Sequence, residues 1–145
     1  MTTVSVLIPN YNHAQFLKER IDSVLNQTHQ DFEVIIMDDC SADNSKDIIE
    51  SYRSNKKISH IVYNEINSGS TFKQWQKGIA LAKGKYIWIA ESDDVAAVSF
   101  LETTVAKMEQ VPNAALFFCQ SNCIDFDGKP LEDMHWWTNS IKVFD

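Results

Sequence analysis

The chain has 145 residues, of which 44% are hydrophobic, so it can bury a real core and is too apolar to be disordered. Its formal net charge of −7 argues against a general nucleic-acid binder, which usually shows a basic face. A small anionic ligand stays possible where local cations compensate.

Residues 4–8, Val-Ser-Val-Leu-Ile, read as a buried strand ended by Pro9-Asn10. Phe16, Leu17, Ile21, Val24 and Leu25 then recur at helical spacing, with Lys18, Glu19, Arg20 and Asp22 filling the other face. This predicts a helix from His13 or Ala14 to about Gln27. Residues 32–37 are apolar on both faces, as a central parallel strand should be. Asp43-Asn44-Ser45 offers N-cap chemistry for a second helix striped by Ile48, Ile49 and Tyr52. Residues 58–63 form a third strand and 64–70 a loop. A third helix is predicted over 71–83, with Phe72, Trp75, Ile79 and Ala82 on its apolar face and Gly84 as a left-handed terminator. The fourth strand covers 86–90, and a fourth helix 98–110 turns Phe100, Leu101, Val105 and Met108 inward. Residues 114–119 read as a fifth strand with Cys119 in the core, and 121–126 as a sixth turning at Asp127-Gly128. Strand and helix alternate through the first 90 residues, which predicts one α/β domain over 1–145 with a mostly parallel central sheet and helices on both faces.

Cys40, Cys119 and Cys123 are odd in number and form no CxxC pair, so reduced thiols in a cytoplasmic protein are expected. The first residues lack the features of a signal peptide, and no apolar run approaches the roughly 18 residues of a membrane span. The end at Ile141-Lys142-Val143-Phe144-Asp145, in the middle of a strand-like stretch, fits a fragment truncated at its C-terminus.

Two acidic pairs carry the chemistry. Asp38-Asp39 follows the second strand, and Glu91-Ser92-Asp93-Asp94 follows the fourth. Two unit charges about 4 Å apart cost roughly 4 kcal/mol at an effective dielectric near 20, so such groups must be solvated, protonated or bound to a cation. Asp38-Asp39 could equally serve as a cap or Asx turn. In this topology both pairs and Pro9-Asn10-Tyr11-Asn12 share the carboxyl edge of the sheet, where open α/β sheets bind ligands. Hard carboxylate oxygens select Mg²⁺ or Mn²⁺, and such ions commonly bring phosphate with them. GxGxxG and Walker glycine motifs are absent, so metal would hold the phosphate in place of a glycine cradle.

Val4 to Asn12, Phe32 to Ser45, Asn67-Ser68-Gly69 and Ala82 to Asp94 closely resemble, in order and spacing, the family 2 glycosyltransferases of GT-A fold. The resemblance covers about residues 3–128. It implies an inverting, metal-dependent enzyme that moves a sugar from a UDP- or GDP-sugar to a glycan or lipid-linked glycan acceptor. Polysaccharide or cell-surface glycan synthesis, in the cytoplasm or at the inner face of the membrane, would be the setting. By the same resemblance Tyr11 lies against the base, Asp39 accepts a hydrogen bond from it, and the backbone near Pro9 touches the nucleoside. Asn12 belongs to that nucleotide-sugar site, Asp93 meets the ribose and Asp94 binds Mn²⁺ or Mg²⁺. Glu91 replaces an Asp of many relatives. The third helix lacks their Arg, leaving Lys73 or Lys77 as a phosphate contact or as solvated helix residues. The general base is expected beyond Asp145, with Glu132-Asp133 read as surface loop. Trp136-Trp137 could line an acceptor pocket or be covered by a further segment, the latter favoured, and His13, His29, His60 and His135 read as caps or surface. Two other readings are a non-catalytic nucleotide-binding module and, less well matched, a receiver-like Mg²⁺ signalling domain.

Overall fold

The computed structural model describes residues 2–119 and 121–131. The chain divides into two compact units, Met1–Lys107 and Met108–Asp145.

In the first unit, β1 (Val4–Asn10), β2 (Phe32–Asp38), β3 (Ile58–Tyr63) and β4 (Tyr86–Ile89) form one parallel sheet in the order β3-β2-β1-β4. β1 runs two residues further than its apolar run, because Pro9 and Asn10 stay in register with Met37 and Asp38. β1 and β2 are buried throughout, which explains why they read as near-continuous apolar runs. Their alternate residues feed two cores. Val4, Val6, Ile8, Val34 and Ile36 pack with Leu17, Ile21 and Val24 of α1 (Ala14–Leu25), Ile49 of α2 (Ser45–Ser51) and Leu101 of α4 (Phe100–Gln110). Leu7, Ile35 and Met37 face the other way, toward Leu81 of α3 (Thr71–Leu81). The expected sheet with helices on both faces is therefore present.

Four expectations need correction. α1 does not leave Arg20 in solvent: the residue is 2% exposed. Leu17, Arg20, Ile21 and Val24 form one i, i+3, i+4, i+7 face, and the arginine shares it. α3 does not bury Phe72, which is 68% exposed, or Ile79; its inner face is Gln74 and Gly78. A Cβ at Gly78 would fall 2.7 Å from Met37 Sδ, so the helix approaches the sheet through that glycine. Gly84 is no left-handed cap, since α3 stops at Leu81 and Ala82 is extended. Its role is close approach, because a Cβ there would sit 2.5 Å from the Ser5 amide nitrogen.

The fourth correction concerns the second unit. Residues 114–119 form no strand, and Cys119 is exposed. Apolar composition does not suffice without a neighbour's N–H and C=O groups, and none of the described residues pairs with this run. The predicted sixth strand is reduced to one antiparallel bridge, Ile124–Pro130. The turn between is as expected: Gly128 has φ +77°, and Asp125 Oδ1 accepts from the amides of Asp127 and Lys129 at 2.9 Å each.

Candidate functional site

Because β1, β2 and β4 are parallel and adjacent, the loops after them meet at one edge of the sheet. There Pro9, Tyr11, Asp39, Asn67, Gln74, Glu91 and Ser92 help to line a cleft of about 380 Å³.

At the β2 end the two aspartates need no cation. Successive strand residues point to opposite faces, and each carboxylate has its own donors. Asp38 accepts from Asn10 Nδ2 at 2.8 Å, from the Ser41 amide at 2.9 Å and from Ser41 Oγ at 2.6 Å. Asp39 accepts from Ser68 N at 2.8 Å, Ser68 Oγ at 2.7 Å and Asn64 Nδ2. Burial alone would raise the Asp39 pKa, but the Ser68 and Asn64 hydrogen bonds, with Lys77 nearby, outweigh it and hold the group below the usual range.

Two acceptors beside Asp39 have no hydrogen-bond partner among the described residues. Gln74 is 2% exposed and lines the cleft. The Ser68 hydroxyl can give its single proton to Asp39, which obliges Gln74 Nε2 to donate to Ser68 Oγ, 3.0 Å away. Gln74 Oε1 is then left buried and unpaired. Asn10 Nδ2 must likewise face the Asp38 carboxylate, which leaves Asn10 Oδ1 unpaired, and Asn10 also lines the cleft. An unmet buried acceptor costs about 1–3 kcal/mol, so this side of the cleft favours a ligand bearing N–H or O–H donors.

The β4 end is built differently. Asp93 and Asp94 are exposed. Glu91 is half-buried and accepts from Trp75 Nε1 at 2.9 Å. Burial raises its pKa, Asp93 and Asp94 push the same way, and the Trp75 bond and Arg20 only partly oppose them. Arg20 supplies the nearest positive charge: its Nε donates to the Glu91 carbonyl at 2.7 Å, and its Nη2 lies 3.5 Å from Asp94 Oδ2. Ser92 Oγ lies 2.8 Å from His13 Nδ1, so His13, expected as a cap or surface residue, also lines the cleft.

Of the expected site residues, Pro9, Tyr11 and Asp39 line the cleft, and Tyr11 is 47% exposed beside it. Asn12, Lys73, Asp93 and Asp94 are not in the lining. The Asn12 side chain accepts from the Ala42 amide at 2.8 Å and ties two loops together. Lys73 Nζ donates to the Ser68 carbonyl at 2.9 Å, and Lys77 Nζ to Asn64 Oδ1 at 2.5 Å. Glu132, Asp133, His135, Trp136 and Trp137 lie outside the described residues. Sequence reasoning missed Arg20 and Gln74; the helical spacing of each with its buried neighbours was the available signal.

Would a divalent ion fit? Among the described residues no three His, Cys, Asp or Glu side chains converge to form a cage. Asp94 offers one exposed carboxylate at the ligand edge. That donor set suits Mg²⁺ or Mn²⁺ held by one or two carboxylates together with substrate phosphate.

The family model described as "Glycosyl transferase family 2" matches residues 5–143. TuaG of Bacillus subtilis (strain 168), named for teichuronic acid biosynthesis, is 35% identical over 129 residues, covering 89% of this chain and 50% of TuaG. The poly(ribitol-phosphate) beta-glucosyltransferase of Bacillus spizizenii is 37% identical over 93 residues, covering 63% of this chain and 15% of that protein. S. aureus TarS 1-349, in its crystal structure with UDP-GlcNAc, superposes with a TM-score of 0.68 at 30% identity, covering 74% of this chain and 31% of that one. The chain thus spans half or less of each. Fold, motif order and relatives agree, and the chain belongs to glycosyl transferase family 2.

Proposed function

We propose that this chain forms the donor-nucleotide site of a metal-dependent, inverting glycosyltransferase. It would take a sugar from a nucleoside diphosphate and give it to a hydroxyl of a cell-surface glycan or lipid-linked glycan. The observation that carries the reading is the division of one sheet edge. Asp39, Asn10 Oδ1 and Gln74 Oε1 present acceptors at the β1–β2 side, while an exposed Asp94 stands at the β4 side.

A nucleoside suits the acceptor side, since base N–H groups and ribose hydroxyls are donors. Tyr11 offers a ring to the base, Asp39 accepts a base N–H, and the backbone at Pro9 abuts the nucleoside. Asp93 reaches the ribose, and Asn12 holds the Tyr11 loop against its neighbour. Asp94 would hold Mn²⁺ or Mg²⁺, which when bound stabilises negative charge on the departing diphosphate. Lys73, whose Nζ donates to the Ser68 carbonyl, would turn from it to meet phosphate. Attack by the acceptor hydroxyl from the face opposite the diphosphate inverts the anomeric centre. That hydroxyl needs a general base, and none of the described residues is assigned to it.

The likeness to TuaG and to TarS with UDP-GlcNAc supports a wall-polymer or surface-glycan setting and a UDP-sugar as first donor to test. GDP-sugars remain the second arm. No helix among the described residues is long and apolar enough to cross a membrane. The free thiols Cys40, Cys119 and Cys123 support a reducing, cytoplasmic location.

Calorimetric titration with UDP and GDP, in Mn²⁺ and in chelator, tests the reading. One nucleotide is expected to bind, and more tightly with Mn²⁺. Equal affinity in both conditions removes the metal role, and no binding of either nucleotide removes the donor site.

A further inference from the structure

α1 and the residues just after it lay a polar rail along the β4–α4 loop. Gln27 Nε2 donates to the Ala97 carbonyl at 2.8 Å, and its Oε1 accepts from the Leu101 amide at 2.8 Å. Ser23 Oγ accepts from the Ala96 amide at 3.4 Å. Arg20, one turn earlier, completes the rail with its Nε bond to the Glu91 carbonyl. Arg20 and Ser23 lie one turn apart on α1, and Gln27 follows two residues beyond its last residue, so the loop is held along one continuous stretch of chain.

Arg20 differs from the other two in carrying a charge. Its guanidinium lies 5.7 Å from the centroid of the Trp88 ring, and its Nη1 is buried without a hydrogen-bond partner among the described residues. A buried cation with so few partners is costly to keep for loop stability alone. Its remaining contact is the Asp94 carboxylate, 70% exposed and 3.5 Å away. Nη2 engages only Oδ2, and the carboxylate stays largely open to solvent.

We infer that Arg20 is a positioning residue: it fixes the 91–94 turn and orients the Asp94 carboxylate toward the divalent cation of the donor complex. The inference rests on the metal-dependent reading above and assigns Arg20 no contact with substrate. The role is mechanical and electrostatic. Nε sets the backbone of the turn, Nη2 sets the carboxylate rotamer, and the Trp88 ring sets the plane of the guanidinium.

The test uses the full chain and its Arg20→Met and Arg20→Lys variants, titrated with UDP and GDP in Mn²⁺ and in EDTA. For Arg20→Met, affinity in Mn²⁺ is expected to fall about tenfold while affinity in EDTA stays within about twofold, the size of effect seen when an outer-sphere partner of a metal ligand is lost. Arg20→Lys keeps the charge without the planar fork, so a loss of about threefold in Mn²⁺ is expected. Wild-type affinity of Arg20→Met in Mn²⁺ overturns the inference. An equal loss in Mn²⁺ and EDTA also overturns it, since that is what mere loop support predicts. If circular dichroism shows Arg20→Met unfolded, the lysine variant decides on the same comparison. A wild-type chain that binds nucleotide but ignores Mn²⁺ overturns the metal reading itself and the role of Arg20 with it.

Discussion

The carboxyl ends of β2 and β4 begin with the same material, an aspartate pair at the end of a parallel strand, and arrive at different states. After β2 each aspartate is buried and accepts three hydrogen bonds, from Asn10 and Ser41 on one side and from Asn64 and Ser68 on the other. After β4 the pair is exposed, and the contact closest to neutralising it is one guanidinium 3.5 Å from Asp94. The difference comes from the neighbouring loops. Those around β2 are rich in Ser and Asn, whose short side chains and amides fill carboxylate lone pairs. The turn after β4 is followed by Val95, Ala96 and Ala97, which bring no side-chain donors. The aspartates of one end are therefore satisfied largely by the fold itself, while those of the other keep capacity for a cation.

Four measurements press on that contrast. The largest effect is expected at the open end: Asp94→Asn should remove the benefit of Mn²⁺ for nucleotide binding by on the order of 100-fold, read by calorimetry. Retention of that benefit would move the cation elsewhere. At the finished end, Asp39→Ala should strand the donors of Asn64 and Ser68 and lower unfolding free energy by about 1–3 kcal/mol in urea titrations. It should also weaken nucleotide binding in chelator as much as in Mn²⁺, which Asp94→Asn should not do.

Acid separates the two ends by sign. The Asp39 pKa is depressed in the fold, so its stabilisation is full above the unfolded value of about 3.9 and is lost as pH falls through the folded value. The Glu91 pKa is raised, so its contribution is full below the unfolded value of about 4.3 and is lost as pH rises through the folded value. Thermal melts from neutral pH into acid should show Asp39→Asn with a shallower acid decline than wild type, and Glu91→Gln with a steeper one. The smallest effect belongs to Gln74→Met. Losing the Ser68 bond and relieving an orphaned acceptor nearly offset each other, so stability should change by less than about 1 kcal/mol. Nucleotide affinity should nevertheless fall, since a ligand donor loses its acceptor.

Much of this was legible in the residues. Continuous apolar runs identified β1 and β2, because strands buried on both faces leave no polar alternation to confuse the reading. The shared edge followed from alternation of strand and helix. Arg20 is hidden by its chemistry: a charged side chain reads as solvent-facing although its spacing from Leu17, Ile21 and Val24 puts it inside. Gln74 is hidden for the same reason, as Phe72 and Ile79 place the apolar stripe on the other face of α3. The state of Asp38 and Asp39 was beyond a linear reading, since their donors arrive from Asn10, Asn64 and Ser68, brought near only by folding.

The opposite rim of the sheet bears on how such a cleft can move. Glu33 is buried there, with Ser5 Oγ donating to it at 2.7 Å and the Lys83 amide at 2.8 Å, while the Gly84 amide donates to Ser5 Oγ at 2.8 Å. This knot clamps β1, β2 and the approach to β4 at their starts, with no room at Gly84 for any larger residue. The strand starts are thereby fixed by hydrogen bonds and close packing, so adjustment of the cleft to a ligand is expected in the outgoing loops, far from this anchor. Loosening the knot, as in Ser5→Ala, should soften the cleft from about a strand's length away without altering a single group that lines it.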